Sequence, residues 1–418
     1  MKLIKPFKGL FPDPKLAQDV AAPPYDVVSK KEAKDLVKNK PYSFLHISRP
    51  EIDLPDDTDP YGEKVYLKGK ENLENLIKSN VLRQNGTAGY YIYQMIDKDH
   101  IQTGLIAVCS MKAYHENLIK KHELTRPDKE NDRVRHIECL NTQSSPVLLT
   151  CKPSADLNNV LNRNAVSEPL LSVFDEREVQ HKIWLVDQPS ETELITELFD
   201  LDSDKNQFDA IYIADGHHRS AAAYRISQTR SQKNPDQSED LSHDYCLSVI
   251  FPADQMKILD YNRVVKDLNG LSKDEFLLTL QKSFHLKPET KPVKPAKPGE
   301  FGLFIASGWY RFWLKEELSK SPQTEKLDVS LLYQYILKPV LGIENQRTDQ
   351  RIDFVGGIRG LGELENRVNS GEMALAFSLF PTQIEQIFKV ADAGEIMPPK
   401  STWFEPKLVD GLIAYRLG

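Results

Sequence analysis

Short apolar blocks rich in β-forming residues recur along the first two thirds of the chain, separated by stretches whose apolar positions repeat at helical spacing. Residues 89–95 and 103–110 read as paired strands around an Asp97-Lys98-Asp99 turn. Residues 43–48, 145–151, 182–186, 210–213 and 245–251 read as further strands. Helices are predicted over 29–38 with Ser29 as N-cap, and over 61–82, 190–199, 220–230 and 272–284. After a Pro- and Lys-rich stretch at 287–300, a hairpin at 302–306 and 309–314 turns at Ser307-Gly308. Helices and strands then alternate over 329–337, 352–355, 361–369, 373–379 and 383–391. The pattern predicts a mixed α/β (α+β) protein. Its expected parts are a core at 1–286 with an N-terminal elaboration, a linker at 287–300, and a C-terminal α/β region at 301–418 packed on the core.

Composition narrows the function classes. Hydrophobic content of 40% and charged content of 28% fit an ordinary soluble protein. A net charge of −7 argues against a general binder of nucleic acid or anionic membrane. With no long apolar run or signal-peptide pattern, a cytoplasmic location is expected. Cys109, Cys139, Cys151 and Cys246 lack paired spacing, which favours core packing over zinc or disulfides.

The densest chemistry lies at Asp215-Gly216-His217-His218-Arg219, between a predicted strand and a predicted helix. A strand that runs through glycine into a helix N-terminus gathers free N–H groups and the positive end of the helix dipole, a natural seat for phosphate. Arg219 suits bidentate phosphate binding, and His217 and His218 suit donation or proton transfer. A plain connection needs none of these four polar side chains. A metal role for the adjacent histidines is disfavoured, because no carboxylate or cysteine stands at ligand spacing.

A second cluster runs from His122 and Glu123 through Thr125, Lys129, Asp132 and Arg133. Glu123 beside His122 suits general-base work on water or a hydroxyl. Lys129 and Arg133, one helical turn apart, are expected to face one anion. The proline-rich opening carries Tyr25 and Asp26 on a rigid segment that either presents them to a cleft or forms a corner. The acidic stretch 50–60 reads as a solvated loop. Gly356-Gly357-Ile358-Arg359-Gly360 reads as a glycine-rich turn, and Gly394 to Thr402 fails as a P-loop because Pro399 cannot donate an N–H. Lys400, Ser401 and Thr402 remain candidate donors to a substrate.

Four blocks, Ala-Pro-Pro-Tyr-Asp-Val-Val at 22–28, His-Glu-Leu-Thr at 122–125, Ala-Asp-Gly-His-His-Arg at 214–219 and Met-Pro-Pro-Lys-Ser-Thr-Trp-Phe-Glu-Pro-Lys at 397–407, resemble a large bacterial family listed as a domain of unknown function. The Asp-Gly-His-His-Arg turn also resembles the phosphate-binding turn of the ParB/sulfiredoxin superfamily, which includes free-serine kinases. That resemblance implies a ParB/sulfiredoxin-like core and phosphoryl transfer on a serine-like molecule, as an O-phosphoserine phosphatase or a free-serine kinase linked to serine biosynthesis. It implies ATP or ADP for a kinase, and Asp215 would either orient a histidine or hold a Mg2+ ion. Gly216, His217, His218 and Arg219 would bind the phosphoryl group, with Lys129, Arg133 and Lys400 as clamps. The rival reading is a non-catalytic, nucleotide-binding regulatory module. A small phosphorylated or hydroxylated molecule is the expected partner, without nucleic acid or membrane, and self-association stays open.

Overall fold

The computed structural model describes residues 1–233, 241–306, 308–315 and 324–418. It forms two compact units, 1–256 with 406–418, and 257–405. The chain thus leaves the first unit after Met256 and returns to it at Pro406.

The first unit is built on a nine-stranded mixed sheet. Its strands are β1 (Ile4–Lys5), β2 (Tyr90–Asp97), β3 (His100–Ser110), β4 (Ile119–Lys120), β5 (Val147–Cys151), β6 (Leu171–Phe174), β7 (Gln180–Val186), β8 (Ile211–Asp215) and β9 (Tyr245–Pro252). Their order is β4-β8-β5-β9-β3-β2-β7-β6, with β1 also on β3. The central strands β3 and β9 are buried almost throughout, which explains why they read as continuous apolar runs. Their side chains join Ile92, Trp184, Ile211 and Ile213 in the main core.

The helices of this unit are α1 (Lys30–Leu36), α2 (Glu63–Lys78), α3 (Pro127–Leu140), α4 (Ala155–Asn164), α5 (Pro189–Leu198) and α6 (His217–Lys233). Ser29 and Glu32 make the reciprocal capping box that starts α1. Pro127 opens α3, where its missing N–H costs nothing, and Asn141 closes it in the left-handed conformation. Among the described residues, no helix is long and apolar enough to cross a membrane.

The second unit carries a six-stranded sheet: β10 (Tyr261–Val265), β11 (Phe284–Glu289), β12 (Glu300–Ile305), β13 (Gly308–Leu314), β14 (Ile352–Gly356) and β15 (Leu375–Leu379). The order is β11-β13-β12-β15-β10-β14. Helices α7 (Lys273–Ser283), α8 (Gly360–Asn369) and α9 (Ile384–Asp392) complete it.

The structure departs from expectation in four places. Residues 43–48 contain a short helix, Leu45–Ser48, whose Leu45 and Ile47 are buried; an apolar run this short does not distinguish strand from helix. The acidic stretch begins with a 3-10 turn, Pro50–Asp53, that buries Glu51 and Ile52. The helix predicted over 220–230 is longer, because α6 runs from His217 to Lys233; residues 234–240, like Ser307 of the predicted hairpin turn, lie outside the described residues. Finally, the stretch 287–300 is no linker. Its first residues belong to β11, where Pro288 is tolerated on an edge strand, and Val293 is fully buried. The division falls at 256/257 instead.

Candidate phosphate site

Strands β4 and β8 run parallel, so their C-terminal ends emerge side by side. One leads to His122 and Glu123, the other to Gly216 and α6. Strand β5 runs antiparallel to β8 and brings Ser145 and Pro146 to the same end. A bulge between Ile213 and Asp215 bends β8 at its last residues.

The turn itself is tightly specified. Gly216 has φ +97°, and a Cβ there would lie 3.0 Å from Nε of Arg219. The Arg219 guanidinium folds back over the glycine and donates through Nη1 to the Pro146 carbonyl. The first-turn N–H groups of α6 have no intrahelical acceptor and point out of the helix end. Asp215 accepts from the Gly216 N–H at 2.8 Å through Oδ1, and Lys407 Nζ lies 3.1 Å from its Oδ2.

Electrostatics follow from burial. Burial alone would raise the Asp215 carboxyl, but Lys407 and Arg219 hold it well below the ordinary carboxylate range. Burial opposes the charge of Arg219, yet Tyr25, Asp26, Asp215 and Asp410 keep it firmly protonated. Burial pushes the His122 imidazole down to about 4, and burial together with His122 pushes His217 well below its ordinary value. The two neutral rings meet edge to face at 4.6 Å. Glu123 Oε2 stands 3.9 Å from His217 Nδ1.

The structure sorts the expected site residues into groups. Glu123, His122, Asp215, Gly216, His217 and Arg219 come together. His218 Nε2 accepts from the Arg126 N–H at 2.9 Å, so it braces the start of α3 and carries its proton on Nδ1. Arg133 is buried; it donates to Asp132 and lies 4.0 Å over the Tyr25 ring, which burial pushes up to about 12. Asp26, beside Tyr25, is exposed.

Lys129 and Arg133 do not face one anion: Lys129 is exposed and donates to Tyr61 Oη at 2.9 Å. Thr125 donates to Glu130 at 2.9 Å within the first turn of α3. Lys400, Ser401 and Thr402 belong to the second unit, where the Lys400 carbonyl accepts from Arg263 and Ser401 Oγ donates to Pro398.

Sequence reasoning missed four contributors. Lys407 and Asp410 arrive on the C-terminal return, where Asp410 pairs with Ala22 through two backbone hydrogen bonds of 2.8 and 3.1 Å. Lys407 closed a quoted motif without being singled out; Asp410 gave no local signal. Ser145 lies beside Asp410. Arg49 donates to the carbonyls of Tyr25 and Val28 and, at 2.6 Å, to Glu51, locking the Pro-Pro-Tyr-Asp segment in place.

The donor set does not fit a resident metal. Both Asp215 oxygens are engaged, by the Gly216 N–H and by Lys407, and no cluster of three or more His, Cys, Asp or Glu side chains suited to a metal occurs among the described residues.

The chain belongs to the family described as protein of unknown function (DUF1015), whose model matches residues 4–330. No curated protein matches it. Solved structures similar to it include a free serine kinase in complex with AMP, at 15% identity, 72% coverage of this chain, 86% of that chain and TM-score 0.36. A conserved hypothetical protein from Pyrococcus furiosus is similar at 15% identity, covering 75% and 95%, with TM-score 0.35. C-terminally truncated SbnI from Staphylococcus aureus is similar at 13% identity, covering 72% and 82%, with TM-score 0.35.

Proposed function

We propose that this DUF1015 member transfers a phosphoryl group from a nucleotide to the hydroxyl of a small, serine-like acceptor. One observation carries the reading. Of the twelve buried side-chain polar atoms without a hydrogen-bond partner among the described residues, five belong to His122, Ser145, His217 and Asp410, around the Gly216 turn. Orphaned polar atoms are costly in a folded protein and mark a place where a polar ligand supplies the missing partners.

The helix N-terminus and Arg219 give that ligand its charge: they suit a phosphoryl group, whose transfer depends mainly on positioning and charge stabilisation. Arg219 binds it, the N–H groups of the first turn of α6 cradle it, and His217, backed by Glu123, handles a proton on it. Burial of His122, His217 and Asp410 favours transfer to an organic hydroxyl over transfer to water, because a dry site suppresses hydrolysis. The resemblance of the Asp-Gly-His-His-Arg turn to that of free-serine kinases makes L-serine the first acceptor to try.

The test incubates the full chain with magnesium, L-serine and either ATP or ADP, and follows O-phosphoserine. Product that disappears with Arg219→Ala supports the reading. Nucleotide binding without product supports the regulatory module instead.

A further inference from the structure

The C-terminal return does more than close the first unit. It reaches the phosphate turn with two side chains, Lys407 on Asp215 and Asp410 deeper in. We propose that Asp410 is the base that takes the proton from the acceptor hydroxyl, an assignment that rests on the phosphoryl-transfer reading above.

Position comes first. Asp410 is 2% exposed and is fixed by its backbone pairing with Ala22, three residues before Tyr25. Arg219 is tied to the Pro146 carbonyl, and the preceding residue, Ser145, faces the Asp410 carboxyl. The carboxyl therefore sits within one residue of the group that holds the arginine of the phosphate turn. Its Oδ2 lacks a close hydrogen-bond partner and the Ser145 hydroxyl faces the same carboxyl, so an acceptor stands ready in a buried wall. An alcohol entering between this carboxyl and the turn gives its proton to the carboxylate, which the Ser145 hydroxyl supports.

The charged and titratable groups around Asp410 come from four further segments: Arg219 on α6, Tyr25 and Asp26 on the N-terminal loop, Tyr93 on β2, and Arg133 of α3 over the Tyr25 ring. Burial, reinforced by Asp26 and opposed by Ser145 and Arg219, raises this carboxyl to about 7. A base of that strength suits a neutral-pH reaction. Glu123 lies instead at His217, 3.9 Å from its Nδ1, and is left to hold that ring.

In the step itself, the acceptor O–H proton passes to Asp410 as the oxygen forms a bond to the terminal phosphorus of ATP or ADP. The bond from that phosphorus to the bridging oxygen breaks, and the nucleotide leaves with its electron pair as ADP or AMP. Asp410 then returns the proton to solvent.

The experiment is the pH dependence of kcat for the full chain with L-serine and the productive nucleotide, comparing wild type, Asp410→Asn and Glu123→Gln. Wild type is expected to gain rate as pH rises through about 7. Asp410→Asn is expected to lose roughly 10²–10⁴-fold in kcat and to lose that limb while still binding nucleotide. Glu123→Gln is expected to keep the limb. Should Asp410→Asn fail to fold, Ser145→Ala is expected to move the limb to higher pH, because it removes the hydroxyl that favours the charged carboxylate.

An active wild type whose Asp410→Asn variant keeps its rate and limb overturns the assignment of Asp410. So does a limb that disappears in Glu123→Gln instead, or that stays in place in Ser145→Ala. A wild type that transfers nothing from either nucleotide overturns the proposed function itself, and Asp410 as its base with it.

Discussion

Gly216→Ala tests how the Asp-Gly-His-His-Arg turn is held. Two costs add. With φ at +97°, an L-residue pays about 1–2 kcal/mol, of which the lower entropy of the unfolded chain returns about 0.4–1 kcal/mol. In addition, the new Cβ would lie 3.0–3.1 Å from three atoms of the Arg219 side chain. The guanidinium must give by a few tenths of an ångström, which weakens its charged hydrogen bond to the Pro146 carbonyl, a bond worth at most about 1.5–3 kcal/mol. The sum is a loss of about 1–4 kcal/mol, with weakened nucleotide binding.

The two parts separate in a double-mutant cycle with Arg219→Ala, read by urea unfolding. In the Arg219→Ala background nothing remains to displace, so Gly216→Ala is expected to cost only about 1 kcal/mol. Equal costs in both backgrounds would refute the claim that the guanidinium packs on the glycine.

Three further outcomes are expected. His122→Phe removes two buried, unpartnered nitrogens; it is expected to stabilise the free protein by about 1–2 kcal/mol while weakening nucleotide binding, read by melting with and without ADP. Arg49→Ala leaves Glu51 buried and frees the carbonyls of Tyr25 and Val28; a loss of about 2–4 kcal/mol and faster amide exchange at 25–28 are expected, and unchanged exchange would show that Arg49 does not hold the segment. Asp328, buried and accepting from the Gly299 N–H, is raised by burial from 3.8 to about 7. Its protonated form is the stable one, so its contribution is full below about pH 4 and is lost as pH rises through about 7, ~4 kcal/mol in all. Asp328→Asn is therefore expected to match wild type in acid and exceed it at pH 8 in urea unfolding; equal curves at both pH values would contradict the burial argument.

Much of the fold was legible because it is local. Ser29 reads as a helix N-cap, and in the structure it forms a reciprocal capping box with Glu32. The buried runs of β3, β5 and β9 read as strands because every face of them is covered. The Asp-Gly-His-His-Arg turn was legible for the same reason: strand, glycine and helix are contiguous, and the structure places Asp215 at the end of β8 and His217 at the start of α6.

What escaped is non-local. Ala22 pairs with Asp410, Leu10 with Ala414, and Gln143 with Tyr415. No periodicity within 406–418 reports partners hundreds of residues away, so Lys407 and Asp410 could not be placed. The expected role of His218 shifted for a related reason. Its neighbour across the fold, the Arg126 N–H, donates to Nε2, which leaves Nδ1 as the nitrogen of the ring that can donate. Pro288 and the lysines around it suggested a linker, because composition does not reveal that an edge strand tolerates them.

The most direct test of the central claim is a crystal structure of the full chain with bound ADP. The account predicts the terminal phosphate at the N-terminus of α6, hydrogen-bonded by first-turn N–H groups and the Arg219 guanidinium. Phosphates bound elsewhere, with the turn and Arg219 unchanged and no ligand between them, would contradict it.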